Sequence, residues 1–595
     1  MRPIKSSVGD FITSFAMIML AGVVLTASVH PAAAQSDPKD QTFAQLRETQ
    51  KKLGPKAILS GGARSLFDFA RNWDTTKATF ARLATAQIQA QALSALTNGA
   101  VSGPLDLSFS KLAFFSQNES STAWCGKNVV IGFNDTGSLA ESFASTNAQF
   151  TGLGYSVSTD KGRHFTDMGF PTLSSDPTSD LGFDQVFTCA SASNFYFSSL
   201  YNTATDTAVT VSASKDGGQT FGAPVIAASA SNGGKMFGGV GHFFDGDWMA
   251  VNPANPQQLF VTYTDDDFSG AVCGTGFLGR SIGLVSSNDG GLTWSSPVTV
   301  VGEFCENPAS PVEGSVGFSD VAVDPAGTTV YVSWEFFDVA NFLTTFAREV
   351  DIAKATIPTT PSPLSFGSPV KVSGVNFAGA FDTLMFGSGG GFTFFQGLQG
   401  RIETFEHPIL AVGKGPKNTG VLYLTWNDGD NAVPDVLANF FSTPVPTYHF
   451  TDILLSSSAD GAATWSKPVR VNDNREDGSA EHPFSDQFHP TVATDKRGKI
   501  GVCFYDRRND PNNFLIGRTC AFSSDGNKWK NISVQSPGGP SVANQDDFGL
   551  HDWLGDYETL ATDSLNQSAG FIGGYTDTSA GYQNIRRNKF SPDDE

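Results

Sequence analysis

The stretch Ser287-Asn-Asp289-Gly-Gly291-Leu-Thr293-Trp294 recurs in variant form at four other places in this 595-residue chain. The copies are Ser158-Thr-Asp160-Lys-Gly162-Arg-His-Phe165, Ser214-Lys-Asp216-Gly-Gly218-Gln-Thr220-Phe221, Ser458-Ala-Asp460-Gly-Ala462-Ala-Thr464-Trp465 and the shorter Ser523-Ser-Asp525-Gly-Asn527-Lys-Trp529. A phrase repeated at intervals of tens of residues marks an array of one supersecondary unit. Its chemistry is that of a turn: aspartate bonds the backbone N–H groups just ahead of it, glycine supplies positive φ, and the aromatic anchors the turn on the sheet beneath. Such a turn joins two antiparallel strands.

A second pattern is more regular. A β-rich run ends in an aromatic followed closely by a carboxylate at Phe133/Asp135, Tyr263/Asp265, Trp334/Glu335, Trp426/Asp428, Tyr505/Asp506 and Tyr575/Asp577, with a looser copy at Tyr201/Asn202. Alternating, aromatic-rich composition is that of strands in a sheet. Ahead of each run lies a further short strand, as in Asp320-Val-Ala-Val-Asp-Pro325. With this segment as strand A, the aromatic-ended run as B, and C and D flanking the turn phrase, seven four-stranded units are counted. The last unit runs out one strand short, and Leu105–Phe109 is the segment that could close the ring and remove its exposed edges.

The turn phrases resemble the Asp boxes of the sialidase (neuraminidase) superfamily, whose members are β-propellers. The resemblance implies an all-β, sialidase-like β-propeller over residues 105–595. The repeats favour seven blades; six, the usual number in that superfamily, is the alternative. It also places the turn phrases on the face away from the active site, with the starts of A and the ends of B on the functional face. A sialidase holds its substrate's carboxylate with three arginines, uses a tyrosine paired with a glutamate as nucleophile, and an aspartate as acid/base. This chain departs from that pattern: the family's Arg-Ile-Pro element is absent from the first blade, and Arg401-Ile-Glu-Thr is only a partial match in a different blade.

Two regions lie outside the repeats. Residues 35–104, with spaced apolar positions and many Ala and Gln, read as a helical N-terminal segment. Residues 375–400, dense in Gly and Phe, read as a long loop or a flap over the central site. Arg2 and Lys5, an apolar run, and Ala32-Ala-Ala34 form a secretory signal peptide over residues 1–34. The expected location is therefore secreted or periplasmic, with no membrane span after signal cleavage. Six cysteines in an exported chain point to three disulfides, with Cys125–Cys189, Cys273–Cys305 and Cys503–Cys520 the expected pairs. A formal charge of −21 argues against nucleic acid as a partner.

The functional face is expected to be acidic. Asp135, Asp265, Asp428, Asp506 and Asp577 follow strands B, while Glu119, Asp184, Asp247, Asp320, Glu406, Asp486 and Asp556 stand near the starts of strands A. Crowded carboxylates raise one another's pKa or recruit a cation. Three uses are open: glycosidic acid/base chemistry, a calcium site, or turn capping. No cofactor is required, with calcium the one cation whose chemistry fits. The catalytic set expected is Glu406, Asp556, Tyr557 and Asp247, with Arg507, Arg508, Arg401 and His407 binding substrate, and His551-Asp-Trp-Leu-Gly-Asp556-Tyr557 the favoured site-forming stretch. The expected function is a secreted sialidase-like glycoside hydrolase acting as a monomer on an extracellular glycan or glycoprotein. The alternative is a non-catalytic propeller binding glycan or protein.

Overall fold

A computed structural model describes residues 117–591, apart from 136–137, 139–148, 150, 177–178, 234–240, 308, 339–347, 361, 387–390, 399–401, 435–446, 514, 536–553 and 578–582. The signal segment, residues 35–104, Leu105–Phe109, Arg401 and His551 lie outside the described residues. Every regular element described is a strand.

Apart from one small separate sheet, the described strands fall into seven antiparallel sheets in chain order. Blades 1 to 7 begin with first strands Gln117–Cys125, Val186–Cys189, His242–Asn252, Ser315–Val323, Ile409–Val412, Gln487–Thr494 and Leu560–Ala561. Blades 1, 3, 4, 5 and 6 each run A-B-C-D in chain order; blade 2 adds Asp180–Leu181 beside its strand B, and blade 7 has three strands. Seven blades, not six, are thus present. The expected loop at 375–400 instead folds as a separate sheet of Ala380–Phe386, Gly391–Leu398 and Ile402–Glu403 between blades 4 and 5.

A central cavity of about 250 Å³ is lined by residues of all seven first strands, which makes strand A innermost. At its waist stand Ala123, Thr188, Ala250, Ala322, Ala411, Ala493 and Ala561. Seven strands converging on one axis leave room only for small side chains, hence six alanines and one threonine. Larger side chains pack between blades instead. Tyr155, Phe187, Phe197 and Phe221, for example, meet at centroid distances of 5.0 to 6.3 Å between blades 1 and 2.

The ring closes through blades 1 and 7. Gly126 N donates to Asp563 Oδ1 at 2.9 Å, Thr559 N to Ser120 O at 2.9 Å and Gly574 N to Thr122 Oγ1 at 3.0 Å. All three predicted disulfides form. Cys125–Cys189 joins the first strands of blades 1 and 2, Cys273–Cys305 crosses the upper end of blade 3, and Cys503–Cys520 links directly opposed residues of strands B and C in blade 6.

Each turn phrase joins strands C and D at the end of a blade remote from the start of strand A. In the copy at 287–294, Ser287 Oγ donates to Asp289 Oδ1 and accepts from Gly291 N, while Leu292 N and Thr293 N donate to Asp289 Oδ1, all within 3.0 Å. The positive φ falls on Gly162, Gly218 and Gly291, and on Ala462 in the fourth copy.

Candidate functional site

Four residues before each small residue at the waist, in or just ahead of the first strands, stand Glu119, Asp184, Gly246, Phe318, His407, His489 and Tyr557. Five of these have positive φ: Glu119 at 50°, Asp184 at 63°, Gly246 at 56°, Phe318 at 53° and His489 at 47°. The register of strand A against B slips beside Glu119, Gly246, Phe318 and His489. A left-handed residue in a bulge re-aims the chain, and in non-glycine residues it stores strain of about 1–3 kcal/mol each. Four such residues at equivalent positions around one axis mark the channel mouth as the strained part of the fold.

The mouth has an acidic side and an aromatic side. On the acidic side Glu119 accepts from Asn134 Nδ2 at 2.6 Å and from Asp556 N at 2.9 Å. Burial raises the Glu119 pKa well above the usual range, and the Asp184 and Asp556 carboxylates push it further; a hydrogen bond with Asp184 acts the same way. Burial likewise lifts Asp247. On the aromatic side Trp248 packs edge-on against His407 and Tyr557, both at 5.2 Å between centroids, and Phe318 stands 5.4 Å from His407. Burial, with His489 adding, pulls His407 down to about 3, so its imidazole is neutral, and neither ring nitrogen has a hydrogen-bond partner among the described residues. The Tyr557 phenol, whose OH donates to Gln185 O at 3.4 Å, is raised by burial and then by Glu119 and Asp184.

Of the eight expected site residues, the structure gathers Asp247, His407, Asp556 and Tyr557 at this mouth. Glu406 is placed differently: it meets Arg348, which also bonds Glu335 at 3.0 Å, in a buried network joining blades 4 and 5. Arg507 is fully buried on Asp486, 3.3 Å away. Arg508 turns outward to Asp473, Asp506 and Asn531, the last on the outer strand of blade 6.

Strand B carboxylates are also engaged. Asp265 bonds His242 at 2.9 Å, Asp577 pairs with Arg586 at 3.2 Å, Asp506 accepts from Thr519 Oγ1 at 2.6 Å, and Asp428 from Asn376 Nδ2 at 2.7 Å. In blade 3 the neighbouring Asp266 pairs with the strand C arginine Arg280 at 2.8 Å. Arginines at the starts of strands C therefore offset much of the expected acidic field.

Sequence reasoning missed one pair. The Tyr505 hydroxyl bonds Glu558 and accepts from Thr576 N at 2.9 Å, and Arg518 Nη1 lies 2.7 Å from Glu558. Tyr505 comes from blade 6 and Glu558 from blade 7; the only signal was that Tyr505 ends its strand B. Both side chains of this pair are buried. Among the described residues the buried arginines Arg280, Arg348, Arg507 and Arg518 pair with different carboxylates, Arg280 with Asp266 and Glu306, Arg348 with Glu335 and Glu406, Arg507 with Asp486 and Arg518 with Glu558. The His, Cys, Asp and Glu groups among them within metal-ligating reach of one another are Cys273, Glu303 and Cys305, and both sulfurs belong to a disulfide.

No protein-family model matches this chain, and no curated protein matches it. Solved structures do. A Hadza microbial sialidase aligns over 80% of this chain at 12% identity and a TM-score of 0.37; the match spans 66% of that chain, just under two thirds of its length. An α-L-arabinofuranosidase of Fusarium graminearum aligns over 80% of this chain and 93% of its own, at 9% identity and a TM-score of 0.38. An ulvan lyase aligns over 80% and 95%, at 9% identity and a TM-score of 0.40. Likeness at this level concerns the fold.

Proposed function

We propose that this chain is an exported propeller that acts on extracellular glycans as a glycoside hydrolase, with its acid/base chemistry at the channel mouth. The observation that carries this reading is the Glu119–Asp184–Asp556 group. Glycosidases need one carboxyl held protonated beside others that remain charged and stabilise an oxocarbenium-like transition state. Burial and two like charges push the Glu119 carboxyl toward the protonated form that such an acid needs. Asp247 and Tyr557 complete the group, and the Asp556 backbone N–H donates to Glu119 at 2.9 Å. Carboxylates disfavour an anionic sugar, so neutral glycans are the proposed substrates and simple sialosides poor ones. Three disulfides support an oxidising compartment, which fits removal of residues 1–34 on export. No helix among the described residues is long and apolar enough to cross a membrane.

One observation favours a second reading, a propeller that binds glycan without cleaving it: Glu119, Asp184, Asp247, Asp556 and Tyr557 are all buried. Hydrolysis of a neutral-glycan panel by the purified monomer, with Glu119→Gln and Asp556→Asn beside it, separates the two. An acid at work loses turnover while binding and melting temperature hold. A structural carboxyl loses melting temperature instead. Robust release of sialic acid by the unmodified protein would overturn the substrate assignment.

A further inference from the structure

At the upper end of blade 3 one row of residues pairs straight across four strands: His242, Asp267, Gly279 and Cys305. Between Asp267 and Gly279 the chain rises into a loop, and the Cys273–Cys305 disulfide ties that loop to strand D. Backbone bonds close it further, from Gly274 N to Gly270 O at 3.1 Å, Phe277 N to Gly274 O at 3.2 Å and Glu306 N to Leu278 O at 2.8 Å. The pinned loop holds apolar side chains in water: Val272 is 60% exposed, Phe277 40%, and Val312, beside Cys305, 41%. Five large hydrophobics are conspicuously exposed among the described residues, and three of them are here.

Polar groups stand next to this platform. His242 Nδ1 lies 2.9 Å from Asp265 Oδ1, with side chains 35% and 22% exposed, unlike the buried groups of the channel mouth. Glu303 reaches across strand C over Gly279, where a Cβ would stand 2.0 Å from its Oε1. Glycine at 279 is what admits this carboxyl toward Asp265 and Asp267. Their proximity raises the Glu303 pKa after burial has done so, and the bond to Asp265 raises that of His242.

We infer that this rim is a sugar subsite, in which a neutral hexose of a glycan chain lays its C–H face on Phe277 and donates hydroxyl hydrogen bonds to Asp265 and Glu303. The inference rests on the glycan reading above and deepens it by placing a substrate contact on an accessible surface. A hexose has an apolar face and a hydroxyl edge, and this rim carries both an exposed aromatic, Phe277, two residues from Gly279, and the carboxylate of Glu303 lying over Gly279. The same carboxylates repel a sugar acid, and a loop tied by a disulfide loses little entropy when it is covered.

Isothermal titration calorimetry on the full mature chain tests this, with neutral manno-, galacto- and gluco-oligosaccharides and sialyllactose as probes. One neutral oligosaccharide should bind, and sialyllactose at least about tenfold more weakly. Phe277→Ala should weaken the neutral sugar about tenfold and Glu303→Gln about fivefold, with melting temperatures nearly unchanged because Phe277 is exposed and glutamine keeps the shape of the half-buried Glu303. Unchanged affinity in both variants would overturn the subsite and leave the glycan reading standing. Failure of the parent protein to bind any oligosaccharide would overturn both.

Discussion

Replacing Arg348 by leucine should destabilise the propeller by about 3–5 kcal/mol at neutral pH, the cost of stranding a buried charge by removing its partner. The guanidinium, 2% exposed, bonds Glu335 at 3.0 Å, meets Glu406, and packs over Phe337 at 4.3 Å. Both glutamates are fully buried, so leucine removes the guanidinium that the two carboxyls share. Burial already raises Glu335 to about 7 from an ordinary 4.5, with Arg348 restraining the rise, and burial lowers Arg348 to about 10. A carboxyl raised on folding contributes stability that is fully present below its unfolded pKa and lost as pH rises through its folded one. Removing Arg348 pushes Glu335 higher still, which widens that window upward. The deficit should therefore be largest above about pH 7 and shrink toward about pH 4.5. Urea unfolding of parent and variant at both ends of the range, with disulfides intact, measures it. The triple variant Arg348→Leu, Glu335→Gln, Glu406→Gln should recover most of the loss, because no charge is then stranded. A deficit below about 1 kcal/mol, or one equal at both pH values, would refute the assignment of this network as a structural joint between blades.

Two further outcomes are expected. Asp289→Ala should lower stability at neutral pH by about 0.5–1 kcal/mol, since a partly exposed turn cap contributes modestly. Bonds from Thr293 hold Asp289 down at about 2, so its contribution is present above its unfolded pKa and lost as pH falls through about 2, where parent and variant should converge; equal stability at neutral pH would contradict this. Replacing Cys503 and Cys520 together by serine removes a closure of 17 residues and should lower stability by about 3 kcal/mol in the chain-entropy model. An unchanged unfolding midpoint would show that the bridge adds nothing.

The fold was legible because its signals are local and repeated. Ser287, Asp289, Gly291 and Thr293 bond one another within eight residues, so the turn can be read without knowing what lies beside it. The aromatic ends of strands B counted seven blades, including the one whose acid is replaced by Asn202. Disulfide pairs could be read for the same reason: Cys125 and Cys189 hold like positions in successive repeats, Cys503 and Cys520 flank one hairpin, and Cys273 and Cys305 bracket one turn phrase. The residues of the mouth were harder. That Asp247, Asp556, Tyr557 and His407 lie at the mouth could be expected because strand A starts converge on the axis, which topology alone implies. Glu406, one residue before His407, reads as their equal in sequence, yet its carboxylate is held by Arg348 from a strand 58 residues away.

Repetition in the chain by itself determined the propeller, the face that carries the turn phrases, and the set of acids on the opposite face. Only tertiary structure decided which of those acids are neutralised. That choice depends on strand C arginines such as Arg280 and Arg586 crossing to a neighbouring strand, and on blade-to-blade pairs such as Tyr505 with Glu558. A turn is made by residues in contact along the chain, so its sequence contains the whole interaction. A buried charge takes its state from partners brought in by other blades, and from the water those blades exclude, neither of which appears in any single repeat.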